Sequence, residues 1–133
     1  MTQLNWRRRS VSNWQPASYT ANETAAIMAV EPGDLIGPVI VRTRTVFNGS
    51  GTDAILEIGD DGDIDRLCAN GDVDEITAGL YLALGGSGST YLTIGKHLYT
   101  VANTIDITFT ANTAGTRTTG AFDIDVYIAK VVP

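Results

Sequence analysis

Apolar and polar residues alternate with a period of two along most of the chain from residue 23 onward, as in strands with one face against a core. TIDITFT (104–110) is the cleanest case, with Ile105, Ile107 and Phe109 on one side and Asp106, Thr108 and Thr110 on the other. GAFDIDVYIAKVV (120–132) repeats the pattern, with Phe122, Ile124, Val126 and Ile128 facing a core. PVIVRTRTVF (38–47) is rich in β-branched residues; it sets Val39, Val41, Thr43, Thr45 and Phe47 against Ile40, Arg42, Arg44 and Val46. TAAIMAV (24–30) is a shorter run, closed by the turn signal Glu31-Pro32-Gly33-Asp34. DAILEIG (53–59) is expected to return from PVIVRTRTVF through an NGSG hairpin at 48–51. GLYLALGG (79–86) and YLTIGKHLYTV (91–101), the latter broken near Gly95, complete the set. No stretch carries the period of an amphipathic helix longer than a few turns, and no repeat is found. Seven or eight short strands separated by turns predict an all-β chain, an antiparallel β-sandwich that is jelly-roll-like or of a related Greek-key type. Phe47, Phe109, Phe122, Ile124 and Val126 are the candidate core.

The first 22 residues break the pattern. They are polar and unpatterned, yet they hold Trp6, Trp14, Pro16 and Tyr19. They are expected as an extended N-terminal arm (1–22) beside a sandwich domain (23–133). A disordered tail is poor in aromatics. Either both tryptophans pack back on their own domain, or the segment is an interaction arm, since Trp and Arg are enriched at interface hot spots. On the second reading Trp6, Arg7, Arg8, Arg9 and Trp14 are the partner-binding candidates. At the other end, Val131-Val132-Pro133 closes the last strand without a polar tail. As an edge, such a strand would need a neighbour to bury it, which points to a cyclic homo-oligomer.

Charge sharpens this contrast. The 133 residues carry a net charge of −6. The first 22 residues hold three arginines and no acid, a local +3; the rest holds 6 basic and 15 acidic residues. A body so acidic repels phosphates, so no nucleic-acid partner is expected. No run of about 18 apolar residues is present, so no membrane-spanning helix is expected. The basic start lacks a following apolar segment, so no cleaved secretion signal is expected either. With 44% apolar residues and one cysteine, the chain reads as one globular domain without an internal disulfide.

The densest chemistry is EIGDDGDIDRL at 57–67, part of a stretch with nine acids between residues 53 and 75. As a calcium loop starting at Asp61 it has acids at positions 1, 3 and 5, but Arg66 stands where the turn needs glycine and Asp72 where a bidentate Glu belongs. A calcium site in a β loop stays open. The simpler reading is a solvated connecting loop, Asp60 to Asp65, in which Asp caps turns. A glycosidase pair would require a cleft that nothing in the sequence signals. His97 is the sole histidine and no GxSxG elbow appears. Gly95-Lys96 lacks the rest of a phosphate loop. Cys68 beside Leu67 reads as a small apolar core residue. No enzyme activity, cofactor or metal site is expected.

VIVRTRTVFNGSGTDAILEIGDDGDIDRL, together with the later GKHLYTVANTIDITFT and DVY segments, resembles small structural proteins of tailed-bacteriophage virions. The matching positions of the later part are Gly95, Lys96, Tyr99, Thr104, Ile105, Asp106, Asp125, Val126 and Tyr127. The resemblance covers about residues 35–130; Arg66-Leu67 departs from it where an aromatic is common. It implies a β-sandwich on the virion's head surface, made in the bacterial host cytoplasm. The implied role is capsid decoration: a homotrimer bound to the major capsid protein, cementing neighbouring capsomers. The alternative is the base of a head or tail fibre or spike, or a receptor- or glycan-binding module. That alternative would place binding aromatics on loops 60–75 or 111–120, which have none.

Overall fold

The computed structural model describes residues 4–48, 55–85, 95–111 and 117–131. Among them every regular element is a strand: β1 (Arg7–Trp14), β2 (Glu23–Val30), β3 (Asp34–Thr45), β4 (Ile55–Asp60), β5 (Asp63–Cys68), β6 (Gly79–Ala83), β7 (His97–Leu98), β8 (Asn103–Thr110) and β9 (Ala121–Lys130). They form two antiparallel sheets. The first runs β1-β9-β3-β6, with the short β7 also paired to β3; the second runs β2-β8-β4-β5. The chain is an antiparallel β-sandwich, as the period-two pattern predicts.

The inward faces are those read from the sequence. Val39, Val41, Ile105, Ile107, Phe109, Phe122, Ile124 and Val126 are all fully buried, and Phe47 is 2% exposed. Burying each such side chain stabilises the fold by roughly 1.5–3 kcal/mol before chain entropy is set against it. Phe47, Phe109 and Phe122 form an aromatic knot at one end of the core, with ring centroids 5.0–5.5 Å apart where Phe47 meets its two partners. Tyr19 closes this end, its ring edge-on to Phe47 and its hydroxyl donating to the Gly120 carbonyl at 2.9 Å.

Three expectations change. The segment expected as a separate arm is extended, but Arg7–Trp14 is annealed along β9 as the edge strand of the first sheet. The reason lies in Trp14, which packs on Phe109 and Phe122 at 6.3 and 6.4 Å and anchors the strand. Second, β3 and β4 are not a hairpin, for they lie in different sheets. Both edges of β3 are already taken, by β9 on one side and β6 and β7 on the other. Asn48 leaves β3 by bracketing the approach to β9: its side-chain oxygen accepts from the Thr118 and Thr119 amides. Residues 49–51 of the expected NGSG turn lie outside the described residues. Third, β9 is interior to its sheet, between β1 and β3, so the apolar edge expected at the last strand is already covered.

β3 also begins four residues earlier than Pro38, at Asp34. The register with β9 slips between Ile36 and Val39, so Pro38 sits at an irregularity where its missing N–H costs no ladder bond.

Two long polar side chains join the sheets at opposite edges of the sandwich. On the β1/β2 side, Arg9 donates to the Ala29 carbonyl at 2.7 Å. On the β5/β6 side, the Lys96 ammonium donates to the carbonyls of Leu67 (3.1 Å) and Ala83. Burial pushes the Lys96 pKa below the usual lysine range.

Candidate functional site

The sequence-predicted contact residues part company in the structure. Arg7 and Arg8 are exposed on β1. Trp6 is 40% exposed and its ring packs on Gly37, where a Cβ would come within 2.6 Å of it. All three are exposed, but Arg8, opposite Tyr127, is on the outer face of the sheet and Arg7, opposite the buried Ile128, is on the other side of the strand. Arg9 is tied to β2 through Ala29, and Trp14 faces the aromatic knot. Both therefore hold β1 in place.

Strand alternation places Arg8, Ser10 and Ser12 on the outer face of the first sheet, beside Asp123 and Asp125 of β9, Ile40 and Arg42 of β3, and Leu80 of β6. Together these residues line a shallow groove of ≈ 290 Å³. The two aspartates are engaged within it. Asp123 accepts from the Asn13 amide (2.8 Å) and from Arg44 (3.3 Å), and Asp125 from the Ser10 hydroxyl (2.5 Å). Next to the groove, Leu80 and Leu82 of β6 and Leu84 just after it are exposed, at 72, 58 and 54%. Among the described residues β6 pairs only with β3, so this leucine row lies on an edge strand of the described sheet. A hydrophobic edge of this kind is one that soluble proteins blunt or cover.

The two sheets have opposite charge. The first sheet holds six basic residues and three acids, a net +3. The second holds one basic residue and six acids, a net −5. On the second sheet's outer face, burial and the neighbouring Asp65 charge raise the Glu57 pKa above its ordinary value. Asp65 is itself raised, by its hydrogen bond with Asp63, by burial and by the Asp63 charge. These carboxylates repel one another across β4 and β5.

EIGDDGDIDRL is a hairpin rather than a loop. β4 runs to Asp60, Asp61-Gly62 turn, and β5 begins at Asp63. Gly59 has no alternative, since a Cβ there would stand 2.0 Å from the Asp63 carbonyl oxygen and 2.5 Å from the Ile64 carbonyl carbon. Nor is every acid solvated. Asp60 is 2% exposed. Its carboxylate accepts from Arg66 Nε (2.7 Å), the Tyr99 hydroxyl (2.9 Å) and the amides of Gly62 and Asp63 (2.9 and 3.0 Å). Burial works against the charge, but the Arg66 and Tyr99 hydrogen bonds outweigh it and hold Asp60 below the usual carboxylate range. Burial and the bond to Asp60 push the Tyr99 phenol far above its ordinary value. Asp72 brackets the connection to β6, one oxygen accepting from the amides of Ala69, Leu84 and Gly85 at 2.8–2.9 Å. Glu75, 5% exposed, accepts from the Leu56 amide.

Among the described residues no group of three or more His, Cys, Asp or Glu side chains is placed to hold a metal ion. His97 stacks edge-on against Tyr99 at 4.6 Å, and its pKa is lowered by burial and by the Arg66 charge. Cys68 is fully buried and burial pushes its thiol far above the ordinary range.

Sequence reasoning did not single out Leu80, Leu82 and Leu84 as exposed. Their spacing in GLYLALGG carries a period-two signal. Which side faces water depends on Tyr81 and Ala83 being the inward pair, and in an apolar run that choice is invisible.

No protein-family model and no curated protein matches the chain. Its fold is similar to a chain described as the cyanophage Pam1 capsid asymmetric unit, with a TM-score of 0.62 at 16% sequence identity. The match covers 96% of this chain and 85% of that one.

Proposed function

We propose that this protein is a non-enzymatic structural component of a phage virion, a decoration protein that binds the major capsid protein on the head surface and reinforces the shell. The observation that carries the reading is the near-complete overlap of the sandwich with a chain of a cyanophage capsid. The strand order supports it: leaving β7 aside, and apart from the β4–β5 hairpin, successive strands alternate between the sheets β1-β9-β3-β6 and β2-β8-β4-β5. That interleaving supports reading the sandwich as a jelly roll, an architecture common in viral capsid domains. The exposed basic strip of Trp6, Arg7 and Arg8 is the surface we assign to the capsid; Arg9 and Trp14 position it from below. As a homotrimer, such a protein would bridge capsomers by repeating one modest contact three times, which multiplies affinity without a new chemistry.

The test is co-sedimentation of the purified chain with heads assembled from the major capsid protein of the same phage. Deleting the first fifteen residues would also strip β9 of its partner strand, so surface charge reversal is the cleaner perturbation. Arg7→Glu/Arg8→Glu should weaken head binding at least tenfold while the thermal midpoint stays within about 2 °C, as exposed charges contribute little to stability. Unchanged head binding by that variant overturns the docking assignment. An absence of head binding by the wild type overturns the decoration reading itself.

A further inference from the structure

The charge on this sandwich is sorted by sheet, and that sorting has a counterpart in surface apolarity. The outer face of the first sheet carries the leucine row at β6, with Arg8, Arg42 and Arg44 beside it. Against them stand two acids, Asp123, which is paired to Arg44, and Asp125, which accepts from Ser10, so the face keeps a net positive charge. The outer face of the second carries Glu57, Asp63, Asp65 and Asp106, and none of β2, β4 and β8 holds a Lys or Arg. The one cation of that sheet, Arg66, is drawn to the buried Asp60. Between the acids stand small, methyl-bearing positions, with Thr24 and Ala26 exposed on β2 and Thr108 half-buried on β8. A leucine row rimmed by arginines is thus matched, on the opposite side of the same molecule, by a small-residue surface rimmed by carboxylates.

We propose that copies of this chain associate head to tail, the leucine and arginine face of the first sheet of one copy seating on the acidic outer face of the second sheet of the next. The proposal goes beyond the capsid reading and stands without it. Charge complementarity selects the occupant. A copy turned the other way would set arginine against arginine on one side or carboxylate against carboxylate on the other, a costly arrangement across an interface. The contact is heterologous, using two different patches on opposite sides of the molecule, so copies add in an open row unless the rotation per copy closes a ring. It explains two features that are unfavourable in a lone subunit: leucines more than half exposed on an edge strand, and a face of carboxylates with no Lys or Arg on β2, β4 or β8 to balance them.

The experiment measures mass in solution with the full chain, whose monomer is 14.1 kDa. Wild type should sediment as an oligomer at low salt and dissociate as salt rises, because the Debye length falls from about 10 Å at 0.1 M to about 3 Å at 1 M. Leu82→Glu disables the first face and Glu57→Lys/Asp106→Lys the second; each should be monomeric alone, with far-UV circular dichroism confirming the fold. Mixed in equal amounts, the two variants should form a 1:1 dimer, since each retains the face the other lacks. Should a variant fail to fold, Arg42→Asp replaces it on the first face and the wild-type salt titration stands independently. A monomeric wild type overturns the proposal, as does a mixture that stays monomeric while the wild type assembles, the mark of a two-fold contact. A monomeric wild type whose head binding is lost in Leu82→Glu assigns the leucine row to the capsid and likewise overturns it. Loss of head binding in Arg7→Glu, a residue outside the leucine and arginine face, without loss of self-association keeps the two readings separate.

Discussion

Replacing Arg66 by Met should expose how strongly the second sheet depends on one buried carboxylate. Asp60 is 2% exposed, and the Arg66 side chain is 27% exposed. Removing one partner of a fully buried ion pair costs about 3–5 kcal/mol, mostly the penalty of leaving a charge unpaired. Water reaches this guanidinium, and Tyr99 with two backbone amides would still hold the carboxylate. The expected loss is therefore smaller, about 2–3 kcal/mol at pH 7. For a chain of this size that corresponds to a fall in the midpoint of roughly 7–12 °C. The pH dependence supplies the sign. In the wild type the Asp60 pKa is depressed, so its stabilisation is present above the unfolded value of about 3.9 and lost as pH falls through the lower folded value. In Arg66→Met the balance turns to burial, and Asp60 moves above the ordinary range. Protonation then relieves the penalty, and the deficit relative to wild type should shrink as pH falls toward 4. Urea melts at pH 7, 5.5 and 4 measure this. The double variant Asp60→Asn/Arg66→Met should lie within about 1 kcal/mol of Asp60→Asn, because the unpaired charge is gone. A deficit below about 0.5 kcal/mol at pH 7, or one that does not shrink with acid, refutes the reasoning.

Gly59→Ala should cost more than 3 kcal/mol or prevent folding, because the new methyl meets backbone atoms of β5 that cannot rotate away; chemical denaturation of the soluble fraction checks it. The Cys68 thiol, buried and poorly ionised, should resist Ellman's reagent in the native state and react within seconds in 6 M guanidinium; native labelling at the unfolded rate contradicts the burial. Asp65 has the opposite linkage sign to Asp60: its folded pKa is raised, so it penalises the fold above that value and not below the unfolded one. In a monomeric background Asp65→Asn should accordingly raise the midpoint slightly at pH 7 and leave it unchanged near pH 3; a lowered midpoint at pH 7 removes carboxylate repulsion from the account.

The acidic hairpin shows where sequence reading stops. Glu57-Ile58-Gly59 is legible as a strand because alternation is a local property of the chain. Asp60, the next residue, reads as one more solvated acid, and only the approach of Arg66 and Tyr99, the latter 39 residues away, makes it a buried anchor. Trp14 poses the same problem in reverse. In a polar context it fits an exposed contact residue, and the ring goes inward because β9 brings Phe122 beside it and β8 brings Phe109 across the core.

The sequence by itself determined the strands of β2, β8 and β9, the inward faces of β3, β8 and β9, and a chain whose regular structure is β throughout. These follow, among the described residues, from side-chain direction alternating along a strand, which needs no knowledge of neighbours. The tertiary structure decided which strands pair. That choice separated β3 from β4, drew Arg7–Trp14 into the first sheet, and covered both edges of β9. It also turned a charge difference between the start and the body of the chain into a difference between two sheets, by placing Arg7, Arg8 and Arg9 in the same sheet as Arg42, Arg44 and Lys130. Strand pairing joins residues a hundred positions apart, and the energy that selects it is burial summed over both sheets at once, so no local window of sequence contains it.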